Sequence, residues 1–502
     1  MKKLILVVLA VFLMSGVASA ATTMELKGSF RVYPEMTNMG YSPSGTIPDY
    51  LPGVGSLANQ GLPTSGTGKP AVQNYWVEQR ARLIFNVKSD ENVGGTVHLE
   101  IDSRWGQTSY SSIAWRGAGG GLGADSTNLE LKESFMWFQA GALRVKAGIQ
   151  TWADDISGIF IGGGDMAGFR ADYALSKTSS FATGVFTFWD PTQSKTDGVY
   201  FVPLTVKQQL GSGTASLFLY MIQDNSNYVP YYSQNTTNVA VINTAFPGYN
   251  DRGTRPLTTT DTSTAGTTLL KAAYESAQIY YAGLNYGGKA GNISYYLMGA
   301  YNFGNFKNAR TYLVPDVLDR TDDVKISAFA ANAKVDVKVG GGNLRGNLLY
   351  VQGGDSTSTD KYNGFIPGDM YAGAQSMPLY QTDLVILINN TDGITNSTFM
   401  VPTVNNNGDG VQLGYLAYDY NITPKLNAKA VAGYASADKQ NLTTRKGKGM
   451  GAEYNAQLKY LFNANMTISG VASYAQIGDY FKTATFDADN AYKLLLRFIY
   501  AF

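Results

Sequence analysis

The chain has 502 residues, with 39 Lys+Arg against 38 Asp+Glu, one His and no Cys, which excludes a basic nucleic-acid-binding surface and a disulfide framework. Charged residues are only 15% of the chain where a soluble domain carries about 25%, while 56 Gly and 34 Tyr are used heavily. Beyond the N-terminus no stretch of about 18 consecutive apolar residues occurs, so helical membrane spans are excluded and an all-β, aromatic, Gly-rich chain of the outer-membrane barrel type remains.

Residues 1–20 read as a secretory signal ahead of one barrel domain over 21–502. Lys2 and Lys3 precede an apolar run from Leu4 to Met14, and Ala18, Ser19 and Ala20 surround a cleavage point. The run is shorter than the ~20 residues a spanning helix needs.

A barrel strand needs about 9 to 11 residues of alternating apolar and polar character, with short turns and long loops joining strands by turns. Residues 24–33 open the series. Residues 75–88 then place Val77, Ala81, Leu83, Phe85 and Val87 on one face and Glu78, Arg80, Arg82, Asn86 and Lys88 on the other. After the turn at 89–92, residues 93–104 alternate Val97, Leu99 and Ile101 with His98, Glu100 and Asp102. Further turn-joined pairs follow at 129–139 and 143–150, 168–175 and 181–190, 199–210 and 214–224, and 274–286 and 292–303. The series continues with 324–339 and 343–352, 411–420 and 425–435, and 451–462 and 466–474, and residues 491–502 close it. Pro203 weakens its strand by removing a ladder donor.

Long connections fall near residues 34–73, 105–128, 151–165, 191–198, 225–270, 304–322, 353–409, 436–448 and 478–490, each after an odd-numbered strand. This strict alternation predicts one closed transmembrane antiparallel β-barrel of about 18 strands, with 16 as the alternative. Hydrocarbon offers no partner to a free sheet edge, so the first and last strands must pair. The connection from Gly353 contains the apolar run 384–388, which predicts that it folds over or into the barrel mouth, or pairs as a short hairpin, with contact to a neighbouring subunit as the alternative.

The closing segment puts Tyr492, Leu494, Leu496, Phe498, Tyr500 and Phe502 on one face and ends in an aromatic residue. It resembles the terminal strand that Gram-negative outer-membrane porins present to the barrel-assembly machinery, which implies that Phe502 is an assembly signal. The hairpin formed by 131–139 and 143–150 is similar to the fourth and fifth porin strands, which precede a constriction loop. The resemblance implies long extracellular loops, short periplasmic turns, contact with outer-membrane lipid and lipopolysaccharide, and either a homotrimer or a monomer.

On a barrel the polar strand faces turn inward, so the lumen carries Arg80, Arg82, His98, Glu100, Asp102, Glu130, Lys132, Arg144, Lys146, Arg170 and Asp172. Such residues set ion preference, and a basic wall opposed by acids on an inward loop gives a transverse field. Pore-constriction candidates are therefore Arg80, Arg82, Glu100, Asp102, Arg144, Lys146 and Arg170 on the wall, with Asp154 and Asp155 on the loop between the fifth and sixth strands. Asp165 on the same loop is a further acid.

Other motifs carry less. Asn405, Asn407, Asp409 and Gly410 open like a calcium loop, but Leu416 stands where a bidentate acid is needed. The glycines from Gly117 to Gly123 precede no helix and cradle no phosphate. His98 alone supports neither a triad nor a zinc site, so no enzyme and no cofactor are expected. Trp105, Trp115 and Trp152 suit stacking platforms or, more commonly, interface girdles. The leading expectation is passive diffusion of ions and small hydrophilic solutes. A channel specific for a sugar, organic acid or oxyanion is the alternative, with an adhesin, sheath or outer-membrane enzyme behind it.

Overall fold

The structure is a computed structural model that describes residues 22–39, 73–106, 129–189, 198–225, 261–262, 268–269, 276–312, 319–354, 361–368, 380, 382–388, 394, 400–401, 404–440, 445–483 and 488–502. The signal at 1–20, Trp115, the glycines between 117 and 123, and most of the connections at 34–73, 105–128 and 225–270 lie outside these residues.

Period-2 alternation becomes strand throughout. In chain order the barrel strands are β1 (Thr23–Thr37), β2 (Asn74–Lys88), β3 (Val93–Arg104), β4 (Leu129–Ala140), β5 (Leu143–Trp152) and β6 (Gly164–Ala174). Next come β7 (Ser179–Trp189), β8 (Val199–Leu210), β9 (Gly213–Asp224), β10 (Ser276–Ala290), β11 (Ile293–Tyr312) and β12 (Asp319–Val339). The last are β13 (Gly342–Val351), β14 (Val411–Thr423), β15 (Leu426–Ser436), β16 (Gly449–Leu461), β17 (Met466–Ile477) and β18 (Ala491–Ala501). The main sheet has 19 segments, of which the two-residue Lys361–Tyr362 pairs parallel with β12 and the other 18 are these strands.

The barrel closes between β1 and β18, in a register running from Ser29 opposite Ala501 to Thr37 opposite Lys493. At its short-turn end Gly28 N–H donates to the Phe502 carbonyl at 2.8 Å, and Phe502 N–H donates back to the Gly28 carbonyl at 3.0 Å. The Phe502 ring stacks 5.7 Å from Phe30 and lies over Gly28, where an added Cβ would come within 2.6 Å of it. No strand edge of the barrel is left for hydrocarbon to desolvate.

Inward and outward faces separate cleanly. On β18 Lys493 and Leu495 are buried inward, while Leu494, Leu496 and Tyr500 are exposed outward. The same outward band includes Leu26, Phe30, Leu131, Phe169, Leu217, Leu284, Leu297, Leu348, Leu416 and Leu458, and so runs round the barrel. Apolar exposure on this scale suits lipid, and tyrosines such as Tyr173, Tyr420, Tyr460 and Tyr500 ring the short-turn end. Short turns use local chemistry: Gly141 and Gly211 both take φ +58°, a left-handed conformation that glycine adopts without strain.

Two connections are shorter than the sequence reading expects, and Pro203 interrupts its ladder as expected. The β11–β12 hairpin runs on through most of 304–322, expected as a connection, and Gly304 is a strand position at φ +139°. A Cβ there would collide with the Gln278 carbonyl, so glycine permits close strand approach. β6 begins at Gly164, which shortens the connection before it. At Pro203 the β7–β8 ladder skips from Leu204 to Phe201, as a missing donor requires, and Thr183 Oγ1 donates to the Pro203 carbonyl at 2.9 Å.

Candidate functional site

The site is the lumen wall of β1 to β6 together with two connections folded inside the barrel. Register fixes the wall: Arg80 lies opposite Asp102 and Arg82 opposite Glu100, with Arg31 opposite Arg80 on the other side. Arg80 grips Asp102 through two bonds of 2.7 Å and reaches Glu100 at 3.1 Å, and Arg82 also pairs with Glu100. Glu100, Asp102 and Glu130 place oxygens within 4.8 Å of one another. That is metal-site spacing, but Arg80 and Arg82 already supply the positive charge there.

Further round, His98 Nδ1 lies 3.5 Å from Glu133, and Lys132 pairs with Asp165 at 2.9 Å. Arg170 pairs with Asp172 at 2.8 Å on its own strand. Arg144 lies 4.4 Å over the Trp137 ring and Lys146 4.9 Å over the Phe135 ring. Among the described residues Arg31, Arg144 and Lys146 make no ion pair.

The β5–β6 connection bends inward around Asp154. Its carboxylate accepts the N–H groups of Ile156, Gly158, Phe160 and Ile161 at 2.7 to 2.8 Å. Burial pushes this carboxyl up to about 6, against the opposing pull of those four donors. Asp155 pairs with Lys207 near the foot of β8, and its carbonyl accepts from Asn285 at 2.7 Å and Tyr296 at 3.0 Å. Phe160 then packs 4.5 Å from Tyr281, 5.1 Å from Phe201 and 5.4 Å from Tyr220. The two acids thus face the β8–β11 side, and neither touches the Arg80–Arg82 wall. Trp152, expected in a loop, is buried in this aromatic cluster, while Trp105 is exposed at the rim and donates to Gln79 at 2.8 Å.

The long connection after β13 also turns inward. Its run 384–388 is at most 5% exposed within the single chain, so its cover is the chain's own barrel. Among the described residues it pairs only in parallel, through Lys361–Tyr362 and the Ile388–Val401 bridge, and shows no hairpin. Gly368 N–H donates to the Phe160 carbonyl at 3.0 Å, which joins the two inner connections. Tyr380 OH meets Asn347 and Asn332 of the wall, and Asp383 takes Arg345 at 2.8 Å and Lys429 at 2.7 Å. Burial opposes ionisation of Asp383, yet Lys429 and Arg345 together hold its carboxyl below the usual range. Two wall acids take up backbone donors: Glu453 accepts from Val385, Ile386 and Leu387, and Glu78 accepts from Ile394 at 2.9 Å. Arg80 donates to the Ile394 carbonyl at 3.1 Å.

The charges expected on the inward face of the wall are found there, and Arg31, Lys334, Arg345, Asp383 and Glu453, which are not among the sequence candidates, join them. Inward parity on their strands marks all but Asp383; only the folded connection shows what Asp383 and Glu453 hold. Asn405 and Asp409 serve a local turn and Tyr480, whose hydroxyl donates to Asp409 at 2.7 Å.

A closed barrel of 18 strands with an apolar outer band and inward-folded connections is the architecture of an outer-membrane porin. No family model and no curated protein matches the sequence. Among solved structures, Acinetobacter baumannii OccAB1 is similar over 96% of this chain and 99% of its own, at 12% identity and a TM-score of 0.50. Pseudomonas aeruginosa OpdQ covers 95% and 97% at 10% identity and a TM-score of 0.48. Pseudomonas aeruginosa OccK2, solved in complex with glucuronate, covers 95% and 97% at 10% identity and a TM-score of 0.46. At these identities the likeness concerns the fold.

Proposed function

We propose that the chain is an outer-membrane channel for the passive diffusion of ions and small hydrophilic solutes. One observation carries this: charged side chains enclosed by the barrel stay wet. The Arg82, Lys132 and Arg170 side chains point inward yet are 25%, 21% and 31% exposed. A lumen that admits water beside fixed charges conducts ions. The role is that of a conduit, with Phe502 at the seam as the assembly signal and lipid and lipopolysaccharide around the apolar band.

A second reading, a channel selective for small organic acids or oxyanions, is favoured by Arg31, Arg144 and Lys146, which have no carboxylate paired to them among the described residues. Planar-bilayer recording tests both. Stepwise conductance in simple salts supports the channel, and its absence from correctly folded protein refutes it. Current block by a carboxylate, but not by a neutral sugar, selects the second reading.

A further inference from the structure

We infer that Glu453 is a latch: it positions the inner connection at residues 385–387 against the β16 wall and so sets the bore of the channel. Glu453 is fully buried on the inward face of β16 and pairs with no Lys or Arg among the described residues. A buried carboxylate without a cation is costly unless hydrogen bonds replace the lost water. Its donors are three consecutive backbone N–H groups: Val385, Ile386 at 3.1 Å to both oxygens, and Leu387 at 2.8 Å. Converging N–H groups of this kind form an anion nest, and charge-assisted bonds are roughly twice as strong as neutral ones.

The dependence runs both ways. The apolar run is kept from water by the wall, and the wall acid is tolerable only while the run covers it. A residue that merely filled the wall would not need a charge. The hold extends along the strand, since Asn455 Nδ2 donates to the Asp383 carbonyl at 2.9 Å. Glu78 on β2 makes a separate attachment at Ile394, distant in sequence from the nest. Space occupied by residues 385–387 is space denied to solute, which is how the latch bears on the bore. That second step rests on the proposed channel function.

The test combines two readouts on the purified full chain in detergent and in planar bilayers, with a heat-dependent gel shift as the check of folding. In Glu453→Gln, whose amide cannot accept three donors as a carboxylate does, the amides of 385–387 should exchange hydrogen roughly tenfold faster or more. Single-channel conductance should rise. Glu78→Gln should speed exchange at Ile394 and leave 385–387 protected. If Glu453→Gln fails to fold, Leu387→Pro removes one donor and leaves the wall intact, and Val385 and Ile386 report. Unchanged exchange overturns the latch. Faster exchange with unchanged conductance overturns its effect on the bore. If the wild-type chain forms no channel, the proposed function fails, while exchange still decides the latch.

Discussion

Asp154 spends its carboxylate on four backbone N–H groups of its own loop, and an amide in its place would turn an NH2 group towards donors. Burial raises its carboxyl from 3.8 to about 6. Between those values the folded chain binds the proton more readily than the unfolded chain does. The group's contribution is therefore fully present below about pH 4 and falls by on the order of 3 kcal/mol as pH rises through 6. Unfolding midpoints of the wild type should drop between about pH 4 and pH 6 and level off above that. Asp154→Asn should be less stable in acid and should lose that part of the pH dependence; equal slopes in the two proteins would assign the titration elsewhere. The same residue shows why candidate roles are hard to read from sequence. An acid in an inward loop looks like a pore charge, and only the path of the loop shows that its donors are local.

At the scale of the element, the closing strand joins sequence signal and geometry most directly. Phe502 ends the outward apolar face of β18, exchanges two backbone bonds with Gly28 and stacks on Phe30. Phe502→Asp should reduce the amount of barrel assembled in cells more than it lowers the stability of barrel already folded. Normal surface levels with unaltered stability would remove the residue from assembly. Gly28→Val should damage the seam as well, because its side chain has no room beneath the ring.

The strands were legible because burial on one face and solvent on the other impose period 2, and because turn and loop lengths alternate. Less legible were places where a residue contradicts its local type: Gly304 within a strand, and the run 384–388, apolar in a long connection. That run was readable as needing cover but not as resting on Glu453, since loop-to-wall contacts follow no period. Intact cells expressing the chain should resist protease cleavage within 384–388, and rapid cutting there would contradict the burial seen.

For the whole molecule the question is the field across the lumen, and register decides which charges act together. Strands lie about 4.8 Å apart, so inward cations on β1 and β2 fall within a Debye length of ~10 Å at 0.1 M salt, whereas those on β5 lie about 14 Å from β2 and couple to them chiefly in lower salt. On this wall Arg80 and Arg82 are locked to Glu100 and Asp102, whereas Arg144 and Lys146 lie on aromatic rings and make no ion pair among the described residues. Removing either basic pair takes two positive charges from the lumen, so both double variants should move the reversal potential towards cation preference. Their structural costs should differ. Arg80→Ala with Arg82→Ala strands two acids whose side chains are at most 1% exposed, and losing one partner of such a pair costs about 3–5 kcal/mol. Arg144→Ala with Lys146→Ala gives up only cation–ring contacts of about 1 kcal/mol each. The first variant should therefore unfold at clearly lower denaturant and the second close to wild type, while both shift selectivity in the same direction. On the opposite side Asp155→Asn should release Lys207 and move the reversal potential towards anions. These shifts should be largest in low salt, where screening is weakest. If neither basic double variant changes conductance or reversal potential under those conditions, the β2–β5 wall does not border the narrowest part of the path, and the ions pass elsewhere in the lumen.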